Sequence, residues 1–159
     1  MNAFENILGA LIVNIQRLDP VSDYEFYSPY AIIFSLENRA EKLIISATND
    51  GQSVDIRFVT DIQIESDYGL EYCEYLLNDL KKEDELNLFI GDEIKTIRIA
   101  EYNFPDILGR DFIIKQGKYA GVELQTKKHK LLFQNNCGGW CDINDFVVEL
   151  PFKEKWKWI

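Results

Sequence analysis

Histidine is nearly missing from this 159-residue chain, which has only His129. Any Ser-His or Cys-His catalytic arrangement therefore has a single possible base. Cysteine is sparse too, with Cys73, Cys137 and Cys141. An odd, low count argues against the disulfide framework of a small secreted scaffold. No Gly-rich phosphate loop, His-Glu-x-x-His or Gly-x-Ser-x-Gly string occurs. The first residues lack the basic stretch of a signal peptide, and the apolar run Ile7 to Ile15 is too short to span a bilayer. No lipidation signal is visible. These absences predict a cytoplasmic protein that does not associate with membrane.

Positive charge is also in short supply. Lysine and arginine number 17 against 27 acids, for a net charge of −10. The imbalance is local: residues 61–93 hold eleven acids and two bases, whereas residues 110–159 carry a net +3. Such a segment repels nucleic acid and anionic membrane and attracts a basic partner. A solvated acidic face that aids solubility is the plainer use of the same residues.

Apolar residues, in contrast, are plentiful at 47%, with 13% aromatic, enough for the core of a single globular domain spanning 1–159. They also repeat. Ile7-Leu8-Gly9-x-x-Ile12-x-x-Ile15 recurs as Phe89-Ile90-Gly91-x-x-Ile94-x-x-Ile97. Phe34-x-Leu36 followed by Lys42-Leu43-Ile44 recurs as Val122-x-Leu124 followed by Lys130-Leu131-Leu132. Asn49-x-Gly51-x-x-Val54-Asp55-Ile56 recurs as Asn136-x-Gly138-x-x-Cys141-Asp142-Ile143. The pattern predicts two tandem, duplicated units packed on one another.

β-branched runs bounded by turn signals predict strands at 10–18, 31–36, 42–47 and 54–64, and again at 94–99, 112–115, 122–126, 130–134 and 146–150. A short helical turn precedes Gly9 and Gly91. Leu70, Cys73, Leu76, Leu77 and Leu80 fall at helical spacing, which predicts one amphipathic helix over 66–84. The expected class is mainly β (α+β): antiparallel sheets from unit one (4–64) and unit two (85–150), with the helix as linker. In the tail, 151–159, lysines alternate with Trp156 and Trp158 as in an edge strand.

Candidate chemistry is thin. Cys73, Cys137, Cys141 and His129 supply the residue types of a Cys₃His metal set, and Cys-x₃-Cys is a permitted spacing. The cysteines are not paired as in zinc ribbons, however, and Cys73 lies on an apolar stripe. The expectation is therefore no metal and no cofactor. His129 sits within Lys127-Lys128-His129-Lys130, a hairpin tip with no orienting partner in view, so no catalytic residue is assigned. Tyrosines flanked by acids are a different matter, because tyrosine brings large contact area at small entropic cost. Glu71, Tyr72, Glu74, Tyr75 and Asp79, with Tyr24 and Tyr27 of the loop before the second strand, form the candidate partner-binding set. The plainer reading makes the same rings the edge of a second core cluster.

The Gly-x-x-Ile-x-x-Ile strand, the strand–turn–strand and the Asn/Asp-Gly turn, carried on residues 4–56 and 86–143, resemble small uncharacterised bacterial β-rich proteins of the polymorphic-toxin immunity type. That resemblance implies a non-catalytic protein that occludes a basic toxin, and it carries over no individual residue. Two alternatives stay open: a small-molecule or metal-binding domain using the Cys137–Cys141 turn, and a structural homo-oligomer subunit.

Overall fold

The computed structural model describes residues 4–21, 28–49, 51, 53–70, 75–102, 119–135, 138–144 and 156–158. It is mainly β. The strands are β1 (Ile12–Pro20), β2 (Ala31–Leu36), β3 (Lys42–Ala47), β4 (Val54–Val59), β5 (Tyr75–Asp79), β6 (Ile94–Tyr102), β7 (Gly121–Thr126), β8 (Lys130–Asn135), β9 (Gly139–Ile143) and β10 (Trp156–Trp158). They form two antiparallel sheets, ordered β4-β3-β2-β1-β5 and β10-β6-β7-β8-β9. Short 3₁₀ segments at Glu5–Ile7 and Glu85–Phe89 precede β1 and β6, and among the described residues one α-helix, α1 (Asp61–Asp67), follows β4.

Side-chain alternation places the core. Ile15, Ile32, Phe34, Leu43 and Ile45 of the first sheet meet Ile97, Val122, Leu124, Leu131 and Phe133 of the second in one cluster. The opposite face of the first sheet is apolar as well. Leu18, Ala31, Ile33, Ile44 and Val59 there are covered by Ile64 of α1 and by Tyr68. That is why β2 and β3 read as nearly continuous apolar runs rather than as alternating ones.

The sheets share more than an order. Both first ladders break register at the same place, between Ile12 and Asn14 and between Ile94 and Thr96. At this place four backbone bonds run between the sheets in two matched pairs, and Val54 and Tyr119 exchange two more elsewhere, at 2.8 and 3.0 Å. Gly9 N–H donates to Ile94 O at 2.7 Å and Gly91 N–H to Ile12 O at 2.8 Å; Ile12 N–H donates to Asp92 O and Ile94 N–H to Ala10 O, both at 3.0 Å. Gly9 and Gly91 turn the chain into this junction at φ +85° and +88°, where a side chain is disfavoured. A two-fold relation centred on the Leu11–Glu93 bridge describes the junction.

The structure corrects the sequence expectation at three points. The helix expected over 66–84 is not there: Tyr75–Asp79 is a strand on the edge of β1, and the helix lies earlier, where the strand 54–64 was expected to continue. Leu76 and Leu77 are partly exposed on opposite faces of β5, so their helical spacing to Leu70 and Leu80 is a coincidence of short apolar residues. Nor is 75–79 a linker. β5 pairs with β1 as β10 pairs with β6: Leu77 faces Leu18 as Trp158 faces Ala100, so Tyr75-Leu76-Leu77 stands where Trp156-Lys157-Trp158 stands in the second sheet. Finally, the residues expected to form a Cys137–Cys141 turn include a strand, β9.

The ladders also move two of the sequence matches by two residues. Phe34, not Leu36, corresponds to Leu124, and Cys141 corresponds to Ile56 rather than to Val54. A shift of two preserves the face each side chain takes, so the apolar phase matched although the register did not. The strands expected at 112–115 and 146–150 lie outside the described residues.

Candidate interaction surface

β5 is an edge of the first sheet and lies within the acidic segment, residues 61–93. A part-buried ionic cluster fixes its place. Arg17 of β1 holds Asp19 through Nε and Nη2, at 2.8–3.1 Å, and reaches Asp84 through Nη1 at 3.0 Å. Asn78 of β5 donates to Asp19 at 3.0 Å, and the other oxygen of Asp84 accepts from Leu86 N–H at the start of the second 3₁₀ turn. Burial alone would lower the Arg17 pKa; the hydrogen bonds to Asp19 and Asp84 outweigh it and raise the pKa. The guanidinium thus ties β1, β5 and the entry to the second sheet together.

On the other face of β5, Tyr75 packs with Tyr30 at 4.8 Å between ring centroids and edge-on to Tyr68 at 6.0 Å. The rings close the rim of the second core cluster. Of the candidate partner-binding set, Tyr75 therefore serves packing, and Asp79 is exposed, accepting from Gln16 Nε2 at 3.0 Å. Tyr24, Tyr27, Glu71, Tyr72 and Glu74 lie outside the described residues.

The acids of α1 divide into paired and open. Asp61 meets Lys42 and Asp67 meets Arg57, each at 2.8 Å. Glu65 of α1 is exposed, as are Glu83 and Glu85 after β5. Counted by unit, residues 4–79 contain fourteen acids and four bases, a net of −10, whereas residues 85–159 contain eleven of each. Two sheets of the same strand plan thus differ by the whole net charge of the chain, so the fold itself does not require the excess.

Of the cysteine and histidine candidates, Cys141 and His129 lie among the described residues. The Cys141 thiol packs against the main core although the residue is part-exposed; burial pushes its pKa up. His129 Nδ1 lies 2.9 Å from Asn144 Nδ2, and its ring is edge-on to Phe89 at 5.8 Å. Cys73 and Cys137 lie outside the described residues, and among the described residues no three of His, Cys, Asp and Glu group as metal ligands. The glycines of Cys-Gly-Gly-Trp-Cys have a structural use. Gly138 takes φ +147°, and Gly139 lies so close to the Pro29 carbonyl that a Cβ would overlap it.

Sequence reasoning missed the near pair Arg17 and Asp19 and its distant partners Asp84 and Asn78, and it missed Leu77 as an edge residue. The helix start was in plain view: Thr60-Asp61-Ile62-Gln63 is a capping box, with Thr60 Oγ1 accepting from Gln63 N–H and Gln63 Oε1 from Thr60 N–H. No helix among the described residues is long and apolar enough to cross a membrane. Comparison with family models, characterised proteins and solved structures returned no match.

Proposed function

We propose that this chain is a non-catalytic cytoplasmic binding protein whose acidic first unit captures a basic protein, in the manner of a bacterial immunity protein that occludes a toxin. One observation carries the reading: of two units built on one strand plan, the first holds the entire net charge of −10 and the second none. We also infer tandem duplication as the origin of the shared plan, with the charge acquired by one unit afterwards. Structural pairing consumes some of the acids, Asp61 and Asp67 among them, but leaves Glu65, Asp79, Glu83 and Glu85 facing water. A field of this sign steers a basic partner and repels nucleic acid.

Three side chains with reactive chemistry are already committed. Arg17 is held by two carboxylates, the Cys141 thiol faces the core and His129 is held by Asn144 and Phe89. The test is binding to, and protection from, the product of an adjacent toxin-like gene, measured by co-expression and by titration of the purified pair. The expected complex weakens about tenfold or more between low and physiological salt, as screening of an electrostatic interface requires. Absence of any basic protein partner, or a complex indifferent to salt, would defeat the reading.

A further inference from the structure

We infer that the outer edge of β5 is a docking site for an extended basic segment of the partner, which adds to the first sheet as a further strand. The inference rests on the acidic-unit reading above and supplies its mode of recognition. It starts from hydrogen-bond accounting. Tyr30 N–H donates to Leu18 O, so Leu18 directs its backbone groups toward β2, and by alternation Arg17 and Asp19 direct theirs toward β5. Their partners Asn78 and Leu76 are therefore the residues of β5 that bond inward. Tyr75, Leu77 and Asp79 point their N–H and C=O groups away from the sheet, and among the described residues these groups have no partner. Three open residues at i, i+2 and i+4 match the repeat of one added strand.

The side chains agree. Leu76 and Leu77 are 47% and 37% exposed, one on each face of this edge. Edge strands are normally protected by lysine, proline or a bulge. The strand in the corresponding position of the second sheet has a lysine in its sequence, Lys157, at the place of Leu76 in the alignment. β5 has an unbroken register and no lysine. The edge is also pinned rather than loose, because Asn78 is bonded to Asp19 and through it to Arg17.

Charge selects the occupant. A second copy docking β5 to β5 would bring two −10 units together, which is repulsive. A segment rich in lysine or arginine meets Asp79 on the strand, in a unit where fourteen acids face four bases; beyond the strand the exposed Lys81 and Lys82 offset Glu83 and Glu85. Backbone bonds and the two leucines supply affinity, and the acids supply the preference for basic flanks.

The test uses the full chain and a short peptide of alternating lysine and valine, with oligolysine of equal charge as comparison. Amide hydrogen exchange is followed residue by residue. The alternating peptide should slow exchange at Leu77 and Asp79 by about tenfold or more, whereas oligolysine should not. Leu77→Pro removes an outward N–H while leaving the ladder to β1 intact, and should weaken peptide binding about tenfold. Leu77→Thr keeps the N–H and should retain the protection. If the peptide binds without slowing these amides, the edge inference fails and the acidic-surface reading stands. If neither peptide binds, both fail. Protection that appears without peptide and grows with protein concentration would mean that a second copy takes the edge, and would overturn the inference.

Discussion

Arg17 of β1 and Ile99 of β6 occupy corresponding places in the two sheets: Arg17 faces Ile32 as Ile99 faces Val122. Ile99 is an ordinary core residue there, only 5% exposed. In the first sheet the same place holds a guanidinium enclosed by Asp19 and Asp84, with side chains 12–16% exposed. One plan has therefore been filled with oil in one sheet and with an ion cluster in the other.

Replacing the arginine by its counterpart tests what the cluster does. Arg17→Ile removes the cation and leaves two part-buried carboxylates facing each other across the gap. Breaking a fully buried pair on one side costs about 3–5 kcal/mol, and partial exposure puts this cluster at the low end of that range, about 3 kcal/mol. Chemical denaturation of Arg17→Ile should show a loss of that size, and Arg17→Ile combined with Asp84→Asn should recover part of it. Equal stability of Arg17→Ile and wild type would mean that the cluster is solvated and contributes nothing.

Glycines separate two kinds of constraint. At Gly9 and Gly91 an added Cβ meets nothing within 4 Å, so Gly→Ala is opposed only by the left-handed backbone, at about 1–2 kcal/mol. At Gly139 the obstacle is the Pro29 carbonyl, and backbone must move. Gly139→Ala should therefore cost more than Gly9→Ala, and it should shift the amide resonances of Ser28 to Ala31. A Gly139→Ala variant as stable as Gly9→Ala would contradict this close approach.

How much of this was legible beforehand follows from what each signal measures. Alternation and turn residues report local burial, so β1–β3 and β6–β8 could be read with few errors. The repeat is visible because Gly9 and Gly91 need the same φ and Ile12 and Ile94 the same core. β5 was misread because an edge strand with exposed leucines on both faces has no clean period of two, and five apolar residues at helical spacing imitate a helix. α1 was missed because β4 runs into it without a break, although the Thr60–Gln63 box marks its start. The ionic cluster had only half a local signature: Arg17 and Asp19 share a strand face at i and i+2, but Asp84 lies 67 residues from Arg17 in sequence. The open edge of β5 requires knowing which neighbour is missing, which only the strand order supplies.

Asn135 gives a test of how the sheets are joined away from the glycine junction. Its Nδ2 donates to Thr48 O at 2.9 Å and to Ser53 O at 2.8 Å, while its Oδ1 accepts from Gly138 N–H. One amide from β8 thus clamps the β3–β4 turn of the other sheet. Its counterpart by register is Ala47, which makes no such clamp with its side chain. Asn135→Ala should lower stability by about 1–3 kcal/mol, because three hydrogen bonds are lost together although Gly51 N–H still serves Thr48 O and Thr48 N–H still serves Ser53 O, and Asn135→Asp should be worse, since a carboxylate set against these carbonyls cannot donate to them. Faster amide exchange at Ser53 and Val54 should accompany both. Unchanged exchange there would place the inter-sheet coupling elsewhere.

Cys141 carries a pH dependence whose sign can be worked out. Burial raises its pKa in the folded protein, so the folded state keeps the proton to higher pH than the unfolded state does. The resulting stability is fully present below the ordinary thiol range and is lost as pH rises through and beyond it. Above that range the unfolded chain has released the proton and the folded chain has not, so unfolding becomes easier with each unit. Cys141→Val lacks the titration and places an apolar side chain where the other sheet has Ile56. Relative to Cys141→Val, the wild type should lose about 2 kcal/mol of stability between about pH 8 and about pH 10, taking an unfolded thiol pKa near 8.5. The comparison cancels the lysines and tyrosines, which titrate in both proteins. Native-state alkylation followed by peptide mapping should find Cys141 slow to react at neutral pH, and faster only as unfolding becomes accessible. Parallel stability profiles for the two proteins, or rapid alkylation of Cys141 in the folded state, would show that the thiol is open to water and would return it to the list of candidate ligands.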